Sequence, residues 1–188
     1  MTEKHDVSGL HRIVRGHAAS LNSLHDELRE KFEIYDRRCR NVAKSNPNCA
    51  AYEAEWRDAA QRFRDFESAL DTMLDRACDS DLSADGDARR LVFAFLNVDP
   101  IYFRSGYLKQ HLFRKLKSVT LTEQEQQIIA NLVLRRIDQN ALREFRELCR
   151  LIPKIGAGAL RRGIVERLKS TDESVRRRAE FAARYLPD

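Results

Sequence analysis

A chain of 188 residues suits one domain, or one domain with an extension, and is long enough to bury a real core. Charged residues make up 34% of it while Gly and Pro number only 7 and 4, a balance that favours helices over sheet. No run approaches the roughly 18 apolar residues that span a membrane, and the opening Met1-Thr-Glu-Lys-His-Asp6 has no apolar signal segment, so the chain is expected to be soluble and cytoplasmic.

Residues 8–44 read as one long helix. Leu10, Val14, His17, Leu21, Leu24 and Leu28 alternate at four and three residues, then a four-residue step leads on to Phe32, Tyr35, Cys39 and Val42, the pattern of a stutter. Lys44-Ser-Asn-Pro-Asn48 breaks it, because Pro stops a helix and Ser and Asn favour turns. Over 48–78 a second long helix is predicted. Tyr52, Trp56, Ala59, Phe63, Phe66, Leu70, Met73 and Ala77 repeat at four and three without a fault. Joined by so short a turn, the two helices predict an antiparallel, coiled-coil-like hairpin over residues 1–80. Its apolar seam asks for cover from the C-terminal helices or from a second copy, which makes a homodimer through the hairpin an expectation.

Asp79 to Asp87 is an acidic, turn-rich connector. Its alternating carboxylates lack the closing Glu of a calcium loop, so it reads as a solvated linker and as the boundary to a second unit over 81–188. That unit predicts helices over 88–97 and 100–118, then one opened near Thr122 by the capping box Thr122-Glu-Gln-Glu125 and running to about Ile137. Further helices are predicted from Asn140 to about Ile152, from Gly156-Ala-Gly158 to about Lys169, and from the box Ser170-Thr-Asp-Glu173 to Leu186. The fold class is therefore all-α: a long hairpin followed by a compact multi-helix region, either an α-solenoid or an irregular bundle. Asp172-Glu-Ser-Val175-Arg176-Arg-Arg-Ala179 resembles the Asp-x-x-Val-Arg-x-x-Ala signature of HEAT-like helical repeats, with an echo at Phe145-Arg146-Glu-Leu-Cys149. The resemblance implies stacked helix pairs with a curved binding surface and transfers no catalytic residue.

Charge is unevenly placed. Residues 1–80 hold 13 Lys and Arg against 15 Asp and Glu, residues 81–188 hold 21 against 14, and within 100–169 the count is 15 to 6. Such asymmetry speaks of partners rather than fold. The helix predicted from Asp99-Pro100 concentrates it, with Asp99 as the cap and Pro100 at the first position. It carries five basic side chains, four aromatics and no acid before Glu123. On a 3.6-residue wheel Ile101, Leu108, Leu112, Leu116 and Val119 form the expected buried stripe, and Phe103, Tyr107, Gln110, Arg114 and Lys117 form an opposite ridge. Either this is an inner helix packed on both sides, or the ridge is exposed and engages an anionic or stacking partner.

Other motifs point to no chemistry. His5, His11, His17 and His25 include no i, i+4 pair, and Cys39, Cys49, Cys78 and Cys149 have no Cys-x-x-Cys spacing, so neither a metal nor a disulfide is expected. Gly156-Ala-Gly158 with Arg161 and Arg162 opens a helix and could attract an anion, but lacks the ending of a phosphate loop. Within Arg143–Leu168 the connector from Ile152 to Ala157, which contains Pro153, is too long for a DNA-reading helix-turn-helix. Ser105 beside Gly106 falls in mid-helix and not at a strained elbow. No enzyme activity and no cofactor are expected. Two functions remain open. One is a non-catalytic interaction or adaptor protein whose basic helices dock an acidic protein. The other is a nucleic-acid binder that uses the basic face of 100–169. In either, the partner-binding residues are Phe103, Arg104, Tyr107, Lys109, Arg114, Lys115, Lys117, Arg135, Arg136, Arg161 and Arg162.

Overall fold

The computed structural model describes residues 7–40 and 47–187, and every regular element among them is helical. The helices are α1 (Val7–Cys39), α2 (Pro47–Arg64), α3 (Ala69–Asp79), α4 (Gly86–Val98), α5 (Ser105–Leu116), α6 (Glu123–Asp138), α7 (Phe145–Cys149), α8 (Ala157–Arg167) and α9 (Glu173–Ala183), with a 3-10 turn at Ile152–Lys154. The all-α class is as expected: a long hairpin, then shorter helices.

At 33 residues, α1 is a rod about 50 Å long, given 1.5 Å of rise per residue. Residue numbers fall along α2 as they rise along α1. His25 faces Phe63 with ring centroids 5.5 Å apart, and Phe32 and Tyr35 face Trp56 at 5.6 and 5.5 Å. Arg62 grips both oxygens of Glu27 at 2.8 and 2.9 Å, and Lys31 reaches Glu55 at 2.8 Å. This is antiparallel pairing. The predicted end of the first helix, including Val42, and the connecting turn over 44–46 lie outside the described residues.

The helix predicted over 48–78 is two helices. The heptad spacing survives, but the backbone breaks between Arg64 and Ala69 because Ser68 and Asp71 form a capping box, each side chain accepting the other's backbone N–H. His17 of α1 locks this break. Its Nδ1 lies 2.7 Å from the Ser68 hydroxyl, its Nε2 lies 3.4 Å from Asp71, and its ring packs on Phe66 and edge-on to Tyr102. Ser, His and Asp together suggest hydrolytic chemistry. Here, however, the hydroxyl caps α3 and donates to Asp71, and the imidazole is only 5% exposed. The trio is a joint.

The centre of the molecule is α4. Leu91 through Leu96 are all buried, as they must be on a stretch of helix that is apolar all round, and α1, α3 and α6 pack against α4. Leu10 and Val14 from α1, Leu70 and Leu74 from α3, Leu112 and Leu116 from α5, and Ile129 and Val133 from α6 join one continuous buried cluster. That cluster crosses the acidic connector, where Leu82 is 2% exposed and Asp85 caps α4 by accepting the Asp87 and Ala88 N–H groups. Arg89 of α4 makes a two-pronged bond to Glu125 of α6 at 2.6 and 2.5 Å. Glu125 also completes the expected capping box with Thr122.

Two predicted ends move. The helix expected over 140–152 shrinks to five-residue α7 and the 3-10 turn. The last helix is capped by Asp172 rather than Ser170, through the Ser174 and Val175 N–H groups. Within the stretch that resembles a HEAT signature, Val175 is half-buried and Ala179 fully buried, and α9 packs on α8 and α6.

Burial holds His17 below its ordinary value of 6.5, against the pull of Asp71. As pH falls through 6.5 the unfolded chain takes up a proton that the folded imidazole resists, so stability is complete above 6.5 and declines below it. A second loss follows near the ordinary carboxylate value of 4.5. Burial would raise Glu125 and Glu147, but the Arg89 bond and the Lys117 and Arg150 bonds outweigh it and hold both below 4.5. Urea midpoints at about pH 7.5 and about pH 5.5 should differ less for His17→Gln than for the parent chain. An equal pH dependence in the two would show that the joint does not titrate with folding.

Candidate functional site

The segment after α4 corrects the sequence reading. Asp99 does not cap a helix that begins at Pro100. It ends α4 in the left-handed region (φ 52°, ψ 53°), with its N–H donating to the Phe95 carbonyl at 3.0 Å. Asp is among the few residue types that tolerate this conformation. The turn drives its carboxylate inward, where the side chain is 3% exposed. Lys109 Nζ donates to Asp99 Oδ1 and to the Pro100 carbonyl, both at 2.6 Å, and Arg136 Nη2 donates to the same Oδ1. Lys109 and Arg136 are each 1% exposed. Burial lowers the Lys109 pKa, partly opposed by Asp99.

Glu144 completes the buried group, 3.8 Å from Arg136. Both of its carboxylate oxygens lack a hydrogen-bond partner, as does Arg136 Nη1. The carboxylate lies against Gly106, where an added Cβ would stand 3.0 Å from Oε2. A side chain at 106 would displace it.

From Pro100 to Arg104 the chain is not helical. The Tyr102 N–H donates to Ser105 Oγ at 3.1 Å, and Arg104 adopts a left-handed conformation (φ 70°) before α5 begins. The outcome is an outward-facing apolar segment. Ile101, predicted for the buried stripe, is 55% exposed, and Phe103 and Tyr107 are each 54% exposed. Leu112, Leu116 and Val119 of that stripe are buried, and Leu108 half-buried.

The exposed rings are held, not loose. Phe103 stacks on His25 at 6.0 Å and meets Phe63 edge-on at 5.4 Å, while Asn22 Nδ2 donates to the Ile101 carbonyl at 2.9 Å. Tyr107 carries the Arg143 guanidinium 4.0 Å above its ring, and Arg143 Nη1 donates to its hydroxyl at 2.8 Å. Arg143 was not among the expected residues. Its signal in the sequence is slight, because it sits 36 residues away on the lead-in to a five-residue helix.

The structure divides the eleven expected partner residues. Phe103, Arg104, Tyr107 and Arg114 are outward, as is Arg143, and Arg114 also stands 3.7 Å from buried Glu147. Lys109 and Arg136 belong inside and leave the exposed set. Lys115 binds the Cys78 and Ser80 carbonyls at the end of α3. Lys117 binds buried Glu147 at 2.5 Å, with Arg150 at 2.6 Å on its other oxygen. Arg135 stands 3.7 Å from Asp99 and is 39% exposed at its side chain. Arg161 and Arg162 are exposed on α8, distant in sequence, and Arg161 donates to the Pro187 carbonyl. The groove at the start of α8 is lined by Glu123, Gln126 and Gln127. Gln126 Oε1 accepts the Gly156 N–H there at 2.9 Å, so the helix end already has its acceptor.

No protein-family model matches the chain, and neither does any of the curated proteins or solved structures with which it was compared. Among the described residues there is no group of His, Cys, Asp and Glu arranged to hold a metal ion, and no helix is long and apolar enough to cross a membrane.

Replacing Asp99 by Asn removes the carboxylate that both Lys109 and Arg136 bond, and leaves Glu144, 3.8 Å from Arg136, as the remaining buried counter-charge. The expected loss of stability is about 3–5 kcal/mol, the range for removing one partner of a buried ion pair. Chemical denaturation measures it, and a loss below about 1 kcal/mol would show that the cluster does not carry the turn.

Proposed function

We propose that the chain is a non-catalytic helical interaction protein, and that the face formed by Ile101, Phe103, Arg104, Tyr107, Arg114 and Arg143 docks an acidic protein segment. The reading rests chiefly on one observation. Three large apolar side chains, each more than half exposed, lie within seven residues and are flanked by arginines. Aromatics and Arg are the residue types that dominate binding hot spots, and a cationic rim favours a partner of opposite charge.

The alternative, nucleic acid across the basic face of 100–169, is weakened by where its cations go. Lys109 and Arg136 are buried, and Lys115, Lys117 and Arg161 are bonded to carbonyls or to Glu147. A phosphate-binding stripe needs its cations free and aligned.

A fluorescently labelled peptide, rich in Asp and Glu with an apolar residue at every third or fourth position, tests the proposal against a labelled DNA duplex. The peptide is expected to bind. Tyr107→Ala should weaken it about tenfold or more, equivalent to about 1.4 kcal/mol, while changing fold stability by far less than the roughly 3–5 kcal/mol of a buried aromatic truncation. Arg104→Gly should also weaken binding without destabilising, since Gly relieves the left-handed backbone there. Binding to the duplex alone, falling steeply with salt, would establish the alternative.

A separate proposal concerns pairing of two copies through the hairpin. It is supported by Phe32, 45% exposed beside the half-buried Trp56. Sedimentation of the parent and of Phe32→Glu should show a dimer that the substitution dissociates.

A further inference from the structure

The four cysteines show no motif in sequence, yet the hairpin register pairs two of them. Cys39 is the last residue of α1 and Cys49 the third of α2, so they continue the antiparallel ladder one heptad beyond Phe32 and Trp56. The register of the ring pairs His25–Phe63 and Phe32–Trp56, extended along both helices, sets Cys39 opposite Cys49. Cys49 is 7% exposed and Cys39 half-buried, so solvent reaches the pair from the α1 side. Cys78 packs against the body and Cys149 lies within its core.

We propose that Cys39 and Cys49 are a redox modification site, forming a reversible disulfide that staples the outer end of the hairpin. The oxidant is a small-molecule disulfide of the glutathione class. The more accessible Cys39, as thiolate, attacks one sulfur of that disulfide, forms a mixed disulfide and expels one thiolate. The Cys49 thiolate then attacks Cys39 Sγ and expels the second. Two protein thiols are oxidised, one small disulfide is reduced to two thiols, and the protons pass to the departing thiolates.

Two features set the rate and the effect. Burial, then the neighbouring Cys49, push the Cys39 thiol up to about 11, so oxidation is slow at neutral pH and quickens as pH rises. The bond closes a loop at the outer end of the hairpin, where the seam side chains Tyr35 and Trp56 are only half-buried. Cross-linking there limits the fraying of both helix ends.

The full chain is equilibrated, without oxygen, in buffers of reduced and oxidised glutathione, then quenched with acid, alkylated and digested with trypsin. The expected product joins the fragment containing Cys39 to the fragment running from Ser45 to Arg57, while Cys78 and Cys149 are recovered alkylated. In the native chain the effective concentration of the pair should exceed that in the urea-unfolded chain by about tenfold or more. Cys49→Ala should trap glutathione on Cys39, which shows that the first thiol is accessible and that Cys49 resolves it. The proposal is overturned if the parent chain itself accumulates that adduct, if the link joins two chains, or if the native pair closes no better than the unfolded one.

Discussion

The left-handed turn at Asp99 and the charges gathered on its carboxylate are the constraint on which the rest of this structure depends. Pro100 alone would stop α4, but the turn at Asp99 sets the direction in which the chain leaves it. With it, the chain leaves α4, passes Pro100, and returns as α5 packed against the same core. A left-handed residue costs about 1–2 kcal/mol, and a buried carboxylate costs more unless it is paired. Two cations converge to meet that demand: Lys109 donates to both the Asp99 carboxylate and the Pro100 carbonyl, and Arg136 ties the turn to α6. Isolated, such a cluster adds little net stability. Its bonds tie residues 99 and 100 to α5 and α6 and so fix the path of the chain between α4 and α5.

That arrangement explains why counting charges overstated the basic surface. The tally of 15 basic to 6 acidic residues over 100–169 treats every Lys and Arg as facing solvent. Lys109 and Arg136 neutralise Asp99 inside, Lys115 satisfies carbonyls left open at the end of α3, and Lys117 and Arg150 serve buried Glu147. Helix ends leave carbonyls without intrahelical partners, and long cationic side chains can reach them while their stems pack. Part of this excess is therefore internal scaffolding.

Local chemistry was the legible part. The four-and-three repeats gave the hairpin and its antiparallel sense, and Thr122-x-x-Glu125 gave a helix start to the residue. The misses have particular causes. Ser68-x-x-Asp71 is a capping pattern of the same kind, but it lay beneath an unbroken heptad, and side-chain spacing does not report a backbone break that preserves the seam. Asp99-Pro100 is an ideal helix opening by propensity. Tertiary demand from Lys109 and Arg136, ten and 37 residues on, overrode it, and no window of local sequence contains that demand. Ile101 moved from core to surface as a direct result. The Cys39–Cys49 pairing was available once the hairpin register was written down, because the ladder that joins His25 to Phe63 also joins them. Spacing motifs conceal it, since they look for ligands close in sequence.

The outward segment draws on both halves of the molecule, and this bears on what it can bind. From the hairpin side, His25 and Phe63 hold the Phe103 ring and Asn22 holds the Ile101 carbonyl. From the body side, Arg143 clamps Tyr107 by a ring contact and a hydrogen bond. Behind both, Tyr102 packs between Phe95 of the core and His17 of the α2–α3 joint. Exposed aromatics that must be ordered on association cost about 0.5–1.5 kcal/mol each in lost rotamer freedom. Here that ordering is already present before any partner arrives. The same contacts make the face a composite: a change at the joint that moves α1 against α4 would move Phe103 relative to Tyr107. Binding on the proposed face would thus be linked, through a few named side chains, to packing of the hairpin against the body, and a segment that gripped both rings would stabilise the arrangement that presents them.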